Sequence, residues 1–178
     1  VLPRPNGSTA FIDYTSNAAE GNNYGLELEL SWQPIDQLEI YAALGLLETG
    51  FDDYINADGE DRSGREQAHA PAYQYALGGR FNFAAGFYFR LDVEGKDEFY
   101  FSDRHDVQAP SQDLVHARLG YDAERWSVAL WGRNLTDEDY TVRGFGSFGN
   151  DPRKGYALEP YYQYGDPRQL GVSASYRF

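Results

Sequence analysis

The sequence contains no cysteine, which excludes disulfides and thiolate metal sites. It contains no methionine either, even at position 1. The chain is therefore expected to begin inside a longer gene product or to have been processed, with no signal peptide left to read. No stretch approaches the roughly 20 apolar residues of a transmembrane helix; Ala42–Leu47, among the greasiest, is far too short. Clustered positive charge is missing as well. Fifteen Lys and Arg stand against 28 Asp and Glu, for a formal net charge of -13. Phosphate binding needs clustered Lys and Arg, so nucleic acid is not an expected partner.

What is present is aromatic: 15 Tyr, 11 Phe and 3 Trp, 16% of the chain. Amphipathic rings in that number need somewhere to sit. A mean hydropathy of -0.63 suits a soluble protein. It equally suits an outer-membrane barrel, in which only alternate residues meet lipid.

Alternation is the main signal. Tyr24, Leu26, Leu28, Leu30 and Trp32 are apolar, and Gly25, Glu27, Glu29 and Ser31 between them are small or charged. Successive side chains of a strand point to opposite faces, so a strand here carries a greasy stripe on one side and carboxylates on the other. The end of the chain repeats the pattern, with Leu170, Val172, Ala174, Tyr176 and Phe178 against Gly171, Ser173, Ser175 and Arg177.

Between these ends the same reading predicts strands over Leu38–Asp53, Pro71–Phe83, Phe87–Val93, Val115–Tyr121 and Trp126–Arg133, with a weaker candidate at Ala10–Asn17. That makes about eight strands, each near bilayer-crossing length when tilted, and no helical pattern of any length. Connections near Pro34, Ala84–Ala85 and Asp122–Arg125 are short. Those at Tyr54–Ala70, Tyr100–Pro110 and Val142–Arg168 are long. Short turns at one end and long loops at the other belong to an outer-membrane barrel. Tyr24, Trp32, Tyr121 and Trp126 at the stripe ends fit interface girdles. A transmembrane antiparallel up-and-down β-barrel is expected over a soluble one, with Leu26, Leu28, Leu30, Phe87, Phe89, Leu91, Val128, Leu130, Val172 and Ala174 on one outward band.

Three motifs then suggest a family. Tyr24-Gly25-Leu26-Glu27-Leu28-Glu29-Leu30 resembles the GxELE strand of TonB-dependent outer-membrane receptors. Trp131-Gly132-Arg133-Asn134-Leu135-Thr136-Asp137-Glu138-Asp139-Tyr140 is similar to their NLTDxxY signature, and Gly165-Asp166-Pro167-Arg168-Gln169-Leu170-Gly171-Val172 with Tyr176-Arg177-Phe178 to their C-terminal ending. The resemblance covers most of the chain from about Asn23. It implies a 22-stranded barrel with an N-terminal plug, in the outer membrane of a Gram-negative bacterium, taking up a scarce nutrient. On that reading residues 1–178 are the C-terminal portion of the barrel and the plug, which contacts TonB, is absent. Ferric siderophore, cobalamin, haem and oligosaccharide are all nutrients the resemblance allows. The alternative is a complete eight-stranded barrel with a structural or adhesive role, since an even strand count can close alone.

Other constellations give bland readings. Gly144-Phe145-Gly146-Ser147-Phe148-Gly149 matches the dinucleotide fingerprint by letter. It lacks the preceding buried strand and following helix that fingerprint needs, so it reads as a flexible glycine loop. Asn56–Asp61 fails as a calcium loop, because with Gly59 sixth the first and twelfth positions are Tyr54 and Arg65. His69, His105 and His116 have no metal-site spacing, and no serine has a legible His and acid. No catalytic residue, metal or cofactor is assigned.

The last long loop is richer, with Phe145, Phe148, Tyr156, Tyr161, Tyr162 and Tyr164 beside Arg143, Arg153, Lys154 and Arg168. Rings stack on flat or sugar-like ligands and guanidinium groups clamp anions. Arg143, Tyr156, Tyr161, Tyr162 and Tyr164 are therefore the candidate contacts for a small-molecule nutrient, against the simpler reading that they pack the loop. Tyr176 and Phe178 end an alternating strand and resemble the signal read by the barrel-assembly machinery. The remaining expected partner is outer-membrane lipid.

Overall fold

The computed structural model describes residues 2–3, 9–10, 20–56, 59–145, 151–157 and 159–178. Seven long strands form one sheet: β1 (Gly21–Ile35), β2 (Leu38–Phe51), β3 (Tyr73–Ala84), β4 (Phe87–Lys96), β5 (Gln112–Asp122), β6 (Trp126–Arg133) and β7 (Gln169–Tyr176). Each pairs antiparallel with its neighbours in sequence, so the spatial order runs β7-β6-β5-β4-β3-β2-β1 without a crossover. β1 and β7 are the two edges. Ala10 of the weak eighth candidate pairs with Leu2 in a separate two-residue ladder, and the stretch 11–19 lies outside the described residues.

The ladder register converts the alternation into two faces. Leu26 lies opposite Leu46, Leu28 opposite Leu44, and Leu44 opposite Tyr75. Phe81 lies opposite Phe89, Phe89 opposite Leu119, Leu119 opposite Leu130, and Leu130 opposite Val172. Directly opposed residues share a face, so one apolar band crosses all seven strands and carries every residue expected on it. Most of the large apolar side chains of the band are exposed, Leu28 by 53% and Leu130 by 58%. From Tyr24 to Trp32 the band extends about 27 Å along the strand at roughly 3.4 Å per residue.

Aromatic rows bound the band. At the short-turn end Phe83, Phe87, Tyr121 and Trp126 form a chain of rings with centroids 4.7–6.0 Å apart, and Tyr176 pairs with Trp126 across the ladder. At the other end Tyr73 stacks on Tyr75, whose hydroxyl donates to Asp113 at 2.6 Å.

The opposite face is polar and internally bonded. Gly78 is needed there, because the Tyr41 ring lies over it, 2.4 Å from where a Cβ would stand. That position lets the Tyr41 hydroxyl donate to Asp92 at 2.6 Å, while Arg90 Nε donates to the same carboxylate at 2.8 Å.

The structure corrects three details of the sequence reading. The turn between β3 and β4 is Ala85–Gly86, one residue later than expected. The long last loop is not structureless: Thr141–Phe145 pairs with Tyr161–Tyr164 in a hairpin. A single 3₁₀ turn, Pro152–Lys154, capped by Asp151, provides the helical turn the pattern did not show. Among the described residues no helix is long and apolar enough to cross a membrane.

Candidate functional site

The three long connections all leave the sheet at the same end, because every strand reverses direction from the one before. There they pack on one another. Arg65 of the first loop donates to the backbone carbonyls of Ser102 at 2.9 Å, Asp103 at 3.3 Å and His105 at 2.6 Å in the second. Its guanidinium also lies 4.0 Å from the centre of the Tyr100 ring. Arg62 bridges Glu60 and Asp106, both at 2.5 Å, and the Tyr54 hydroxyl donates to Asp103. Asn56, which is buried, accepts from the Glu60 backbone N–H at 2.9 Å. Asn56, Glu60 and Arg62 are thus bonded to one another and to the second loop.

The second and third loops meet through rings. Phe101, 3% exposed, packs edge-on to Phe99 and stacks on Tyr162 at 6.0 Å, and Tyr162 meets Tyr164 edge-on at 5.6 Å. His69 of the first loop adds its ring at 5.6 Å from Phe99. Phe99, Phe101 and Ala109 form a buried core, with Val107 against it. Gly144 must be glycine, since a Cβ there would stand 2.1 Å from the Phe101 ring. The fingerprint-like run therefore begins in a strand under an aromatic lid, whereas a flexible loop was expected. Its later members, residues 146–149, lie outside the described residues.

The candidate ligand residues fall as follows. Tyr161, Tyr162 and Tyr164 lie together on one strand of the last hairpin and are exposed. Arg143 lies opposite Gln163 on the other strand. Tyr156 is in the turn after the 3₁₀ segment, with φ 59°. Phe148 lies outside the described residues. Three of the cations expected beside the rings pair with carboxylates: Arg153 with Asp151 at 3.0 Å, Lys154 with Glu159, and Arg168 with Asp137 at 3.3 Å. Two of the shifted titrations in the loops belong to this hairpin region. The Tyr162 phenol nearby pushes the Tyr164 hydroxyl up from its ordinary range, and the Arg153 guanidinium holds the Asp151 carboxyl below the usual carboxylate range.

Below the loops sits a latch that the sequence showed only as letters. Asn134 is 2% exposed and in the left-handed region at φ 46°. Its Oδ1 accepts from the Glu138 backbone N–H at 2.9 Å. Its Nδ2 donates to the carbonyls of Glu138 at 2.9 Å and Asp166 at 3.2 Å. Its own backbone N–H donates to His116 Nδ1 at 3.1 Å. Asp137 accepts from the Arg168 backbone N–H at 3.0 Å, and the Gly165 N–H donates to the Tyr140 carbonyl at 2.8 Å. The Asn134–Tyr140 motif and the Gly165–Arg168 motif are thus two halves of one clamp, joining the end of β6 to the start of β7.

A family model described as TonB dependent receptor-like, beta-barrel, matches residues 1–135. The chain belongs to the TonB-dependent receptor family. Among solved structures it is similar to the ferric yersiniabactin uptake receptor FyuA of Yersinia pestis, with 19% identity and a TM-score of 0.72. That match covers 91% of this chain and 24% of FyuA. The unliganded ferric citrate transporter FecA matches with 19% identity, TM-score 0.67, and coverage of 89% and 24%. BauA, the ferric preacinetobactin receptor of Acinetobacter baumannii, matches with 19% identity, TM-score 0.62, and coverage of 89% and 22%. The chain thus spans about a quarter of the length of these structures. In this TonB-dependent receptor barrel segment, the latch and the loop core are what fix the last hairpin over the wall.

Proposed function

We propose that residues 1–178 form the C-terminal portion of the transmembrane barrel of a receptor in the outer membrane of a Gram-negative bacterium. The whole protein takes up a scarce nutrient, a ferric siderophore or similar complex, with energy delivered by TonB through a plug. The observation that carries the reading is the exposed apolar band crossing seven antiparallel strands between two aromatic rows. A face of that kind is stabilised by lipid tails on one side and interface water at its rims. Both sheet edges have unpaired backbone groups among the described residues, and further barrel strands would pair them. The three long loops, on this reading, face outward and form the ligand entrance, with Tyr161, Tyr162, Tyr164, Tyr156 and Arg143 as contacts. Tyr176, the last paired residue of β7, and Phe178 beyond it, with rings 5.3 Å apart, are the handle for the barrel-assembly machinery, which would hold the open edge by strand addition until closure.

The test is growth on iron-limited medium supplied with a panel of ferric siderophores. Deleting the full-length gene should abolish growth on one complex of the panel, and restoring it should recover that growth. Growth of the deletion strain on every complex would argue against uptake of this ligand class. For the entrance, replacing Tyr161, Tyr162 and Tyr164 together with Ala in the full-length protein should weaken binding of that complex while the barrel stays assembled. Unchanged affinity would reduce the rings to packing residues.

A further inference from the structure

The polar face carries a row of charge that the fold alone does not account for. Arg80 of β3 stands directly opposite Arg90 of β4, and Arg90 directly opposite Arg118 of β5. Like charges directly opposite one another destabilise a sheet. The chain as a whole is strongly acidic, so a surplus of cations in one place is not a matter of composition.

Two members of the row have counter-charges. Arg80 pairs with Asp122 at 2.9 Å, and Arg90 with Asp92 at 2.8 Å. Arg118 instead donates to the Ser173 hydroxyl of β7 at 2.7 Å. Arg133, at the end of β6, lies 5.6 Å from the centre of the Trp131 ring. Neither Arg118 nor Arg133 has a carboxylate partner among the described residues. A cavity of about 240 Å³ opens between Arg90, Asp92, His116, Arg118, Trp131 and Arg133. His116 is fixed beside it, accepting from the Asn134 N–H on Nδ1 and facing Glu94 with Nε2 at 3.5 Å.

We propose that this cavity is a binding site for a small polycarboxylate-type anion, with Arg118 and Arg133 as its principal donors. A guanidinium presents a planar fork matched to a carboxylate, and charge-assisted bonds of that kind are the strong ones. Two forks without a carboxylate partner among the described residues converge on one hollow. The Ser173 hydroxyl aims one of them, and the Trp131 ring supplies an apolar flank. Anion binding also relieves the repulsion along the row, which is differential stabilisation of the occupied state. The size of the hollow favours a small molecule over the broad surface of another protein segment. The site belongs to the polar face, away from the loop rings, and rests on the barrel reading only for which compartment it opens into.

The experiment uses the full-length protein in detergent and tricarballylate, a compact tricarboxylate, as the probe. The thermal unfolding midpoint is followed against tricarballylate concentration, with sodium chloride at matched ionic strength and pH as reference. The expected result is a saturable rise in the wild type. The apparent dissociation constant should weaken at least about tenfold in Arg118→Gln/Arg133→Gln, the scale of one lost charge-assisted hydrogen bond. It should be unaltered in Arg125→Gln/Arg177→Gln, which removes the same charge near the short-turn end. Arg118→Lys/Arg133→Lys keeps the charge and loses the fork, so it should bind several-fold more weakly than the wild type. It also decides the matter where the glutamine pair does not assemble, since affinity equal to wild type would count against the site. A tricarballylate response no larger than that of chloride overturns the proposal. So does a glutamine pair with a lower midpoint in chloride and an unchanged tricarballylate response, which would mean that the guanidiniums are held by carboxylates elsewhere in the protein. None of these outcomes touches the uptake reading, which growth of the deletion strain tests separately.

Discussion

The wall and the loops of this molecule solve the burial problem in opposite ways. The wall has long strands, regular ladders and large apolar residues, yet leaves many of those residues exposed: every residue of β1 is exposed, and Leu26, Leu28 and Leu30 each by more than half. The loops have little regular structure, yet contain the buried core, Phe99, Phe101 and Ala109. The hydrophobic effect acts on apolar surface wherever it lies. The loops satisfy it by folding on one another, and the wall, on the proposed barrel reading, leaves its surface to lipid. Regular secondary structure and a protein core are therefore separable, and here they occupy different parts of one chain.

Four changes would sharpen or break that contrast. The largest effect is expected in the loops. Phe101→Ala should cost about 3–5 kcal/mol locally, the range for truncating a buried phenylalanine. Limited proteolysis of the assembled full-length protein should then open the second and third loops, while the wall keeps its resistance to unfolding by SDS without heating. Loss of that resistance would show the two regions to be one cooperative unit.

The wall gives the next effect. Leu28→Arg places a cation in the middle of the band and should cost about 2–4 kcal/mol in a bilayer, read as a lowered urea midpoint for folding into lipid vesicles. Glu27→Arg, one residue away on the polar face, should cost much less. Equal costs at the two positions would remove the distinction between the faces.

The latch lies between wall and loops. Asn134→Ala removes the side-chain partner of three backbone groups, the N–H and carbonyl of Glu138 and the carbonyl of Asp166, and should cost about 1–3 kcal/mol. Hydrogen exchange should rise at residues 134–140 and 165–168 together, since the two motifs share their bonds. Exchange confined to one motif would mean that they are independent.

The smallest effect is electrostatic. The depressed Asp151 carboxyl contributes stability that is fully present above the ordinary carboxylate range and is lost as pH falls through the depressed value. Its partner Arg153 is charged throughout. Exchange at residues 151–157 should therefore rise only on acidification below about pH 4, and Asp151→Asn should lack the acid step. A step nearer neutrality would assign the turn's pH dependence to another group.

How much of this was legible in the sequence follows from the same contrast. The wall was legible because period-two alternation is a local property: each of the seven strands shows it within its own few residues, and the register adds only which strand lies beside which. The aromatic rows were legible for the same reason, since Trp32, Tyr121 and Trp126 fall at stripe ends. The loop core was not. Phe101 reaches Tyr162 and Gly144 across distant sequence, and no periodicity marks a loop phenylalanine as buried. The latch was legible as letters and illegible as physics. Asn134, Thr136, Asp137 and Arg168 stood out as motif positions, but their bonds to Asp166, Glu138 and His116 depend on a left-handed residue and two converging chain ends. The candidate ligand site was half legible: Tyr161, Tyr162 and Tyr164 do share one exposed strand, but the carboxylates that occupy Arg153, Lys154 and Arg168 came from spacings that carry no pattern.

The central claim is that the band of the wall faces lipid. The most direct measurement places a spin label at each position from 24 to 32 in turn, in the full-length protein reconstituted into lipid vesicles, and compares accessibility to oxygen with accessibility to a water-soluble nickel chelate. The account predicts a period of two, with labels at 26, 28 and 30 accessible to oxygen and shielded from nickel, and labels at 27, 29 and 31 the reverse. Labels at 26, 28 and 30 shielded from oxygen, or a profile without alternation, would contradict it.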